Sequence, residues 1–372
     1  MNNERGVHRR MQSIPERLKI SPFLVFFTIS SMQIGIGILG FQRVIAKSAG
    51  YDAWISVILA GIGAHLSLAM MYSILQKANG SIVEANQQLF GKWIGNILSI
   101  LLVLYYTGMV VAVLRTYIEV IQVWMFPDLE TWVFATSFML LTIYIVSGGF
   151  RVVVGVCFFS IILPSYLILT FFYTFEYANF RMLLPIFDHS IFSILKAAKD
   201  MTLTILGFET LLVYYPFIKN VEQSKKWAHF SVFSTTIIYA VIAVITFAYF
   251  SEKQLQKHIW ATLSMWKIVE MPFIERFEYL GIANWTIIIL PNVCLAAWCS
   301  SRIVKQVANI RQKYVLVAIA AICVTSACLL KNRNSIELLN DVLGSIGFYF
   351  LYGFIPLTFI WSHILHKVRK KA

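Results

Sequence analysis

The chain alternates between long apolar runs and short polar, basic connections. The runs cover residues 21–42, 53–76, 96–121, 131–147, 152–175, 201–218, 228–250, 279–300, 314–330 and 341–366. A helix needs roughly 20 apolar residues to cross the hydrocarbon core, and in lipid every backbone polar group must be satisfied within the segment or its neighbours. The pattern therefore predicts an all-α polytopic membrane protein of about ten transmembrane helices. Within these runs Arg115, Glu119 and Glu209 stand out as deeply placed charges. Two connections are long enough for short helices on the outer surface. In 176–200, Asp188 precedes the stripe Ile191, Phe192, Leu195 and Ala198, and in 251–278 the apolar positions are Trp260, Leu263, Trp266 and Ile268. A further surface helix is expected in 77–94, after the Asn79-Gly80 turn.

Composition agrees with this pattern. Apolar residues make up 59% of 372 and charged residues 13%, whereas a soluble domain carries about 25% charge. The net charge of +13 does not point to nucleic acid, because the basic residues sit in short clusters between the apolar runs and read as orienting charges. With the N-terminus inside, the inner connections hold most of the Lys and Arg, among them Arg5, Arg9, Arg10, Arg17, Lys19, Arg151, Lys225, Lys226 and Arg302. Of the acids they hold only Glu4, Glu16, Glu84 and Glu222. An even number of crossings then puts the tail Lys367-Val-Arg-Lys-Lys371 inside as well. The expected organisation is an inner N-terminal segment (1–20), one transmembrane domain (21–366) and a basic inner tail (367–372). Five cysteines within apolar runs, odd in number and without ligand spacing, read as buried thiols. The sequence has no Walker loop, nucleophile elbow or metal-ligand spacing, so neither enzymatic chemistry nor a cofactor or metal is expected.

Two runs carry interruptions. Gln33-Ile34-Gly35-Ile36-Gly37-Ile38-Leu39-Gly40 places three glycines in six residues of the first run. They either let helices approach closely or interrupt the helix and free its backbone groups. The sixth run contains Gly207-Phe208-Glu209-Thr210, with a carboxylate at membrane depth. Such a group either pairs to hold helices together or lines a wet, functional interior. The ten runs divide into halves, 21–175 and 201–366, whose first members are the interrupted ones. Five helices per half invert the second half relative to the first, and transporters built this way bind substrate at paired discontinuous helices near the midplane. The expected ligand is a zwitterionic amino acid. Its carboxylate would meet the N–H groups near Gly35, Gly37 and Ile38, and its ammonium the carbonyls near Gly207 and Phe208, or Glu209 beside Thr210. Tyr105, Tyr106 and Thr107 in the third run and Asn292 beside Pro291 in the eighth are further candidates for the lining, or else packing residues. Arg115 and Glu119, spaced i, i+4, are expected to pair with each other, and His65 to be a satisfied core histidine.

The chain resembles the B subunit of the spore nutrient-germinant receptors, a branch of the amino acid–polyamine–organocation superfamily. The resemblance runs from Ile20-Ser21-Pro22 to the last helix. It is carried by Gly35-Ile36-Gly37, by Ala46-Lys47-Ser48-Ala49-Gly50-Tyr51-Asp52-Ala53-Trp54, by Leu89-Phe90-Gly91-Lys92-Trp93-Ile94-Gly95 and by Pro272-Phe273-Ile274-Glu275-Arg276-Phe277-Glu278. It implies a transporter-like ligand sensor in the inner membrane of a bacterial spore, acting beside an A-type membrane subunit and a C-type lipoprotein. It also maps the ligand-facing positions onto 34–40 and 206–210. An autonomous amino-acid permease, with a proton carried on Glu209, is the second expectation. A structural subunit with a vestigial cavity is the third.

Overall fold

A computed structural model describes residues 14–269 and 275–371. Glu4, Arg5, Arg9 and Arg10, the stretch Pro272-Phe273-Ile274, and the side chains of Arg369, Lys370 and Lys371 lie outside the described residues. In chain order the α-helices are α1 Leu24–Gln33, α2 Phe41–Ala49, α3 Ala53–Ala78, α4 Ile82–Trp124, α5 Thr131–Ser147, α6 Phe150–Ile162, α7 Ile191–Asp200 and α8 Thr202–Ile205. They continue with α9 Leu211–Tyr214, α10 Val221–Tyr249, α11 Glu252–Leu255, α12 Ala261–Trp266, α13 Phe277–Ala308, α14 Gln312–Leu329, α15 Arg333–Tyr349 and α16 Ile355–Lys371. No strand occurs among the described residues. One parallel bridge, Ile20 with Ile218, joins the start of α1 to the connection before α10.

Seven helical stretches are long and apolar enough to cross a membrane among the described residues, while α1 and α5 are apolar but shorter. The protein is thus a multi-pass membrane protein. Residues 201–218 do not form one continuous span, because they divide into α8, a turn at Phe208–Thr210, α9 and a turn at Tyr215–Phe217. The basic tail expected from residue 367 continues α16 as helix.

α13 packs along α4, while α1 lies against α10, α6 and α13. The first described residues and the last turns of α16 share one face of the bundle with the C-terminal end of α3. Ile20 bonds to Phe217 and Lys219 there, and Gln76 Nε2 donates to Glu222 Oε1 at 3.1 Å. On this face the 77–94 surface helix appears as the start of α4, bent at Gly91, where φ is +80°. Ser81 opens it with a capping box: Val83 N–H donates to Ser81 Oγ, and the Ser81 N–H to Glu84 Oε2 at 2.8 Å. Replacing Ser81 with alanine is expected to cost about 1 kcal/mol of stability, read as an earlier thermal transition in detergent.

Of the two long connecting segments, the first differs from expectation in its cap and in its buried face. α7 is capped by Ser190, which accepts from Ser193 N–H, rather than by Asp188. Its buried face is Ile194 and Ala197, while Ile191, Phe192 and Leu195 point outward. Packing against α2 and α3 sets this rotation, and a stripe of apolar residues cannot distinguish a core face from a lipid face. In the 251–278 segment, Trp260, Leu263 and Trp266 are buried as their spacing suggests.

Candidate functional site

The first run does break where its glycines cluster. α1 ends at Gln33, Ile34 is extended, and a 3₁₀ turn covers Ile36–Leu39 before α2 resumes at Phe41. A broken helix leaves carbonyls without intrahelical partners, and here other helices supply them. Asn292 Nδ2 donates to Ser31 O at 2.7 Å and to Met32 O at 3.2 Å. Tyr239 donates to Gln33 O at 2.8 Å, Trp285 Nε1 to Gly35 O at 3.3 Å and Thr262 to Ile38 O at 2.9 Å. The start of the 3₁₀ turn, at Gly35, has no side-chain cap.

The second break lies directly against the first. Gly207 has φ +114°, and a Cβ there would stand 2.7 Å from Met32 Cβ and 2.9 Å from Met32 O. Gln33 Nε2 donates to Ile205 O at 3.2 Å across the same junction. Glu209 is fully buried. Its Oε2 accepts from Gly207 N–H at 2.6 Å and its Oε1 from Tyr105 OH at 2.8 Å. Tyr106 OH donates to Glu209 O at 3.0 Å, and Thr210 Oγ1 donates back to Gly207 O at 2.7 Å.

A cavity of about 530 Å³ opens from the first break toward the face opposite the chain ends. Gly35, Gly37 and Asn292 line it, with Gln33, Thr204, Met109 and Thr116. Ile38, Gly207, Phe208, Glu209, Thr210 and Tyr105 do not form part of its wall, nor do Tyr106 and Thr107. Glu209 is drawn back into the protein by its own loop N–H and by Tyr105. Thr107 turns instead to Ser300 at 3.3 Å. Among the residues of the deep wall, Asn292 is set apart by its Oδ1. It is buried without a hydrogen-bond partner among the described residues, 3.2 Å from where a Cβ on Gly35 would lie.

The cavity mouth carries charged residues that lie in the connections between apolar runs or, for Asp341, at the first position of the last run. Arg43, Lys47, Lys199, Asp200, Arg333 and Asp341 all line it. Arg333 bridges Glu119 at 2.6 Å and Glu337 at 3.0 Å and stacks on Trp260. Ser48 Oγ donates to Asp200 at 2.7 Å. These residues belong to helix ends far apart in sequence, so the usable signal was only that such charges flank broken helices. Arg115 and Glu119 do not bond to each other. Arg115 Nε donates to Leu330 O at 2.7 Å, and the carboxylate is taken by Arg333. An Arg placed N-terminal to Glu is the weaker i, i+4 orientation, and tertiary partners outcompete it. His65 finds a partner that its sequence context did not reveal: His65 Nδ1 lies 2.9 Å from His229 Nδ1, with the rings stacked.

The opposite end of the bundle is shut. Phe150 packs on Trp298 with ring centroids 4.5 Å apart and on Phe217 at 5.1 Å, and Tyr214 stacks on Phe150 at 5.4 Å. All four rings are buried. Among the described residues, this packed aromatic cluster lies between the cavity and the face where the described chain begins.

Paired helix breaks flooring a one-sided cavity define a membrane protein of transporter architecture. A solved structure with the same fold is a Na⁺-coupled sialic acid symporter in a substrate-bound outward-open state, with a TM-score of 0.64 and 14% identity over 91% of this chain and 80% of that one. The chain belongs to the spore germination protein family, whose pattern it matches over residues 19–336. It is 46% identical to spore germination protein GerQB of Bacillus cereus, over 97% of this chain and all of that one. Spore germination protein B2 of Bacillus subtilis (strain 168) is 26% identical over 72% of this chain and 74% of its own length. The family resemblance seen in the sequence is thereby established.

Proposed function

We propose that this protein is the transporter-like, ligand-binding subunit of a spore germinant receptor, a non-enzymatic sensor of a small nutrient. The observation that carries this reading is the cavity at the first helix break, whose wall includes Asn292, a residue with a buried Oδ1 that has no hydrogen-bond partner among the described residues and that a small opening at Gly35 would uncover. A buried polar atom without a partner is costly, and a ligand N–H or O–H removes that cost. An amino acid fits, with its ammonium on Asn292 Oδ1 and its carboxylate against the N–H groups that open the Ile36–Leu39 turn. The role first expected of Glu209 as ammonium acceptor passes to Asn292.

The reading includes about ten crossings arranged as two inverted halves, 21–175 and 201–366. In it α1 with α2 forms the first broken helix, and residues 201–218 form the sixth. Both chain ends face the cytoplasm, as the Lys and Arg bias supports, and the membrane is the inner membrane of the spore. An A-type membrane subunit and a C-type lipoprotein read the conformational change, which a ligand drives only through unequal affinity for the two states. The transporter fold also suits a second reading, an autonomous amino-acid permease.

Spores lacking this chain and complemented with Gly35→Ala or Gly37→Leu test the site. A Cβ on Gly35 shields Asn292 Oδ1, and a leucine at Gly37 projects toward Thr204, 3.1 Å from the Cβ position. A hydrogen bond to a charged group contributes about 1.5–3 kcal/mol, so the nutrient concentration for half-maximal germination is expected to rise about tenfold or more. Membrane levels are verified by immunoblot. Both variants responding like wild type would remove the site from the reading. Unchanged germination together with lost uptake of a labelled amino acid would transfer the protein to the permease reading.

A further inference from the structure

At the face carrying the chain ends, Lys77 stands one residue before the end of α3. Its Nζ is buried and has no hydrogen-bond partner among the described residues. The Phe359 ring is 5.9 Å away, a weak substitute for an anion. The ammonium borders a crevice of about 40 Å³ between α3, the start of α4 and α16. Its polar wall is Gln88, Ser362 and His366, its apolar wall Ile74, Leu89 and Leu365, and among the described residues no carboxylate lines it.

An ammonium withdrawn from water without a counter-charge is strongly disfavoured, so the crevice is incomplete as it stands. Its surroundings indicate what completes it. Trp361, whose Nε1 donates to Leu89 O at 3.1 Å, sits beside it, and tryptophans of this kind gather at the membrane–water boundary. Lys367 follows immediately on α16, adding positive charge without an acid. Basic pockets between helices at this level suit lipid headgroups. Free phosphate would answer the ammonium but leave the half-buried Leu89 and Leu365 uncovered, whereas a phospholipid answers both, with its acyl chains along these two residues.

We propose that the crevice at Lys77 binds the phosphate of an anionic phospholipid in the leaflet on the side of the chain ends. The proposal is independent of the nutrient cavity and of what that cavity binds.

The test reconstitutes the full chain into nanodiscs of phosphatidylcholine alone or mixed with phosphatidylglycerol. Bound lipid is counted by native mass spectrometry after detergent extraction, and thermal transitions are recorded in parallel. Wild type is expected to retain phosphatidylglycerol and to melt later in the mixed discs. Lys77→Gln is expected to lose at least tenfold of that retention, Lys77→Arg to keep most of it, and Lys92→Gln, at an exposed position, to match wild type. Equal phosphatidylglycerol retention by Lys77→Gln and wild type would overturn the proposal. So would millimolar inorganic phosphate in phosphatidylcholine discs reproducing the full stabilisation, since the lipid would then not be what is read. If Lys77→Gln does not fold, wild type decides alone: identical melting and no selective lipid retention in the two disc types refutes the assignment.

Discussion

Glu209→Ala is expected to destabilise the protein by roughly 2–6 kcal/mol, the sum of two buried donors left without an acceptor. Gly207 N–H and Tyr105 OH both end on this carboxylate, and neither has water to turn to, since Glu209 and Tyr105 are buried. Glu209→Gln is expected to behave very differently. An amide can keep its oxygen on Gly207 N–H and offer its NH₂ to the Tyr105 oxygen, which can reverse its role. Thermal transitions in detergent should therefore fall far more for Ala than for Gln, and spores carrying Glu209→Gln should retain their nutrient response. Loss of the response in a well-folded Glu209→Gln variant would instead assign the carboxylate a direct part in ligand or proton handling.

Gly207→Ala is expected to be at least as damaging. Its φ of +114° is a conformation that side chains rarely adopt, at a cost of about 1–3 kcal/mol. A new Cβ would also stand 2.9 Å from Met32 O, and overpacking of this kind costs about 1–3 kcal/mol more. The backbone of α1 is the neighbour that must move, and it is held there by Asn292 on Ser31 O and Met32 O. The expected result is low membrane abundance, or a folded protein whose cavity has shifted and whose germination response is lost. Germination and abundance both like wild type would show that the two breaks are not mechanically joined.

These two residues explain how the site is assembled. Glu209 serves as an internal brace: it turns the 206–210 loop back on itself and ties it to α4 through Tyr105 and Tyr106. Gly207 lets that loop touch the end of α1. The first break, where Gly35, Gly37 and Asn292 line the cavity, thus packs directly against the second, which reaches the cavity through Leu206. The third contact is the short helix Ala261–Trp266. Thr262 holds Ile38 O, accepts from Gln42 at 2.8 Å, and sits beside Trp260, on which Arg333 stacks.

The membrane character and the position of both helix interruptions were legible in the sequence. Run length against hydrocarbon thickness and the backbone freedom of Gly35, Gly37 and Gly207 are properties of local stretches of chain. The stretch Gly50-Tyr51-Asp52 was legible only as a resemblance, and its reason is tertiary. Asp52 accepts from Phe187 N–H and His189 N–H at 2.8 and 2.9 Å, while Tyr51 donates to Phe250 O. Which polar residue faces the cavity was likewise undecided by sequence. Glu209 and Asn292 both lie deep in apolar runs, but only the fold shows that Glu209 has two donors waiting within its own neighbourhood and that Asn292 has one oxygen without any. The charged mouth belongs to the same category, because Arg43, Asp200 and Arg333 meet only when their helices pack. Local propensity and hydropathy determine where a helix crosses and where it breaks. Which side chains are satisfied, and which are left for a ligand, depends on partners more than 100 residues away, and that only the tertiary structure decided.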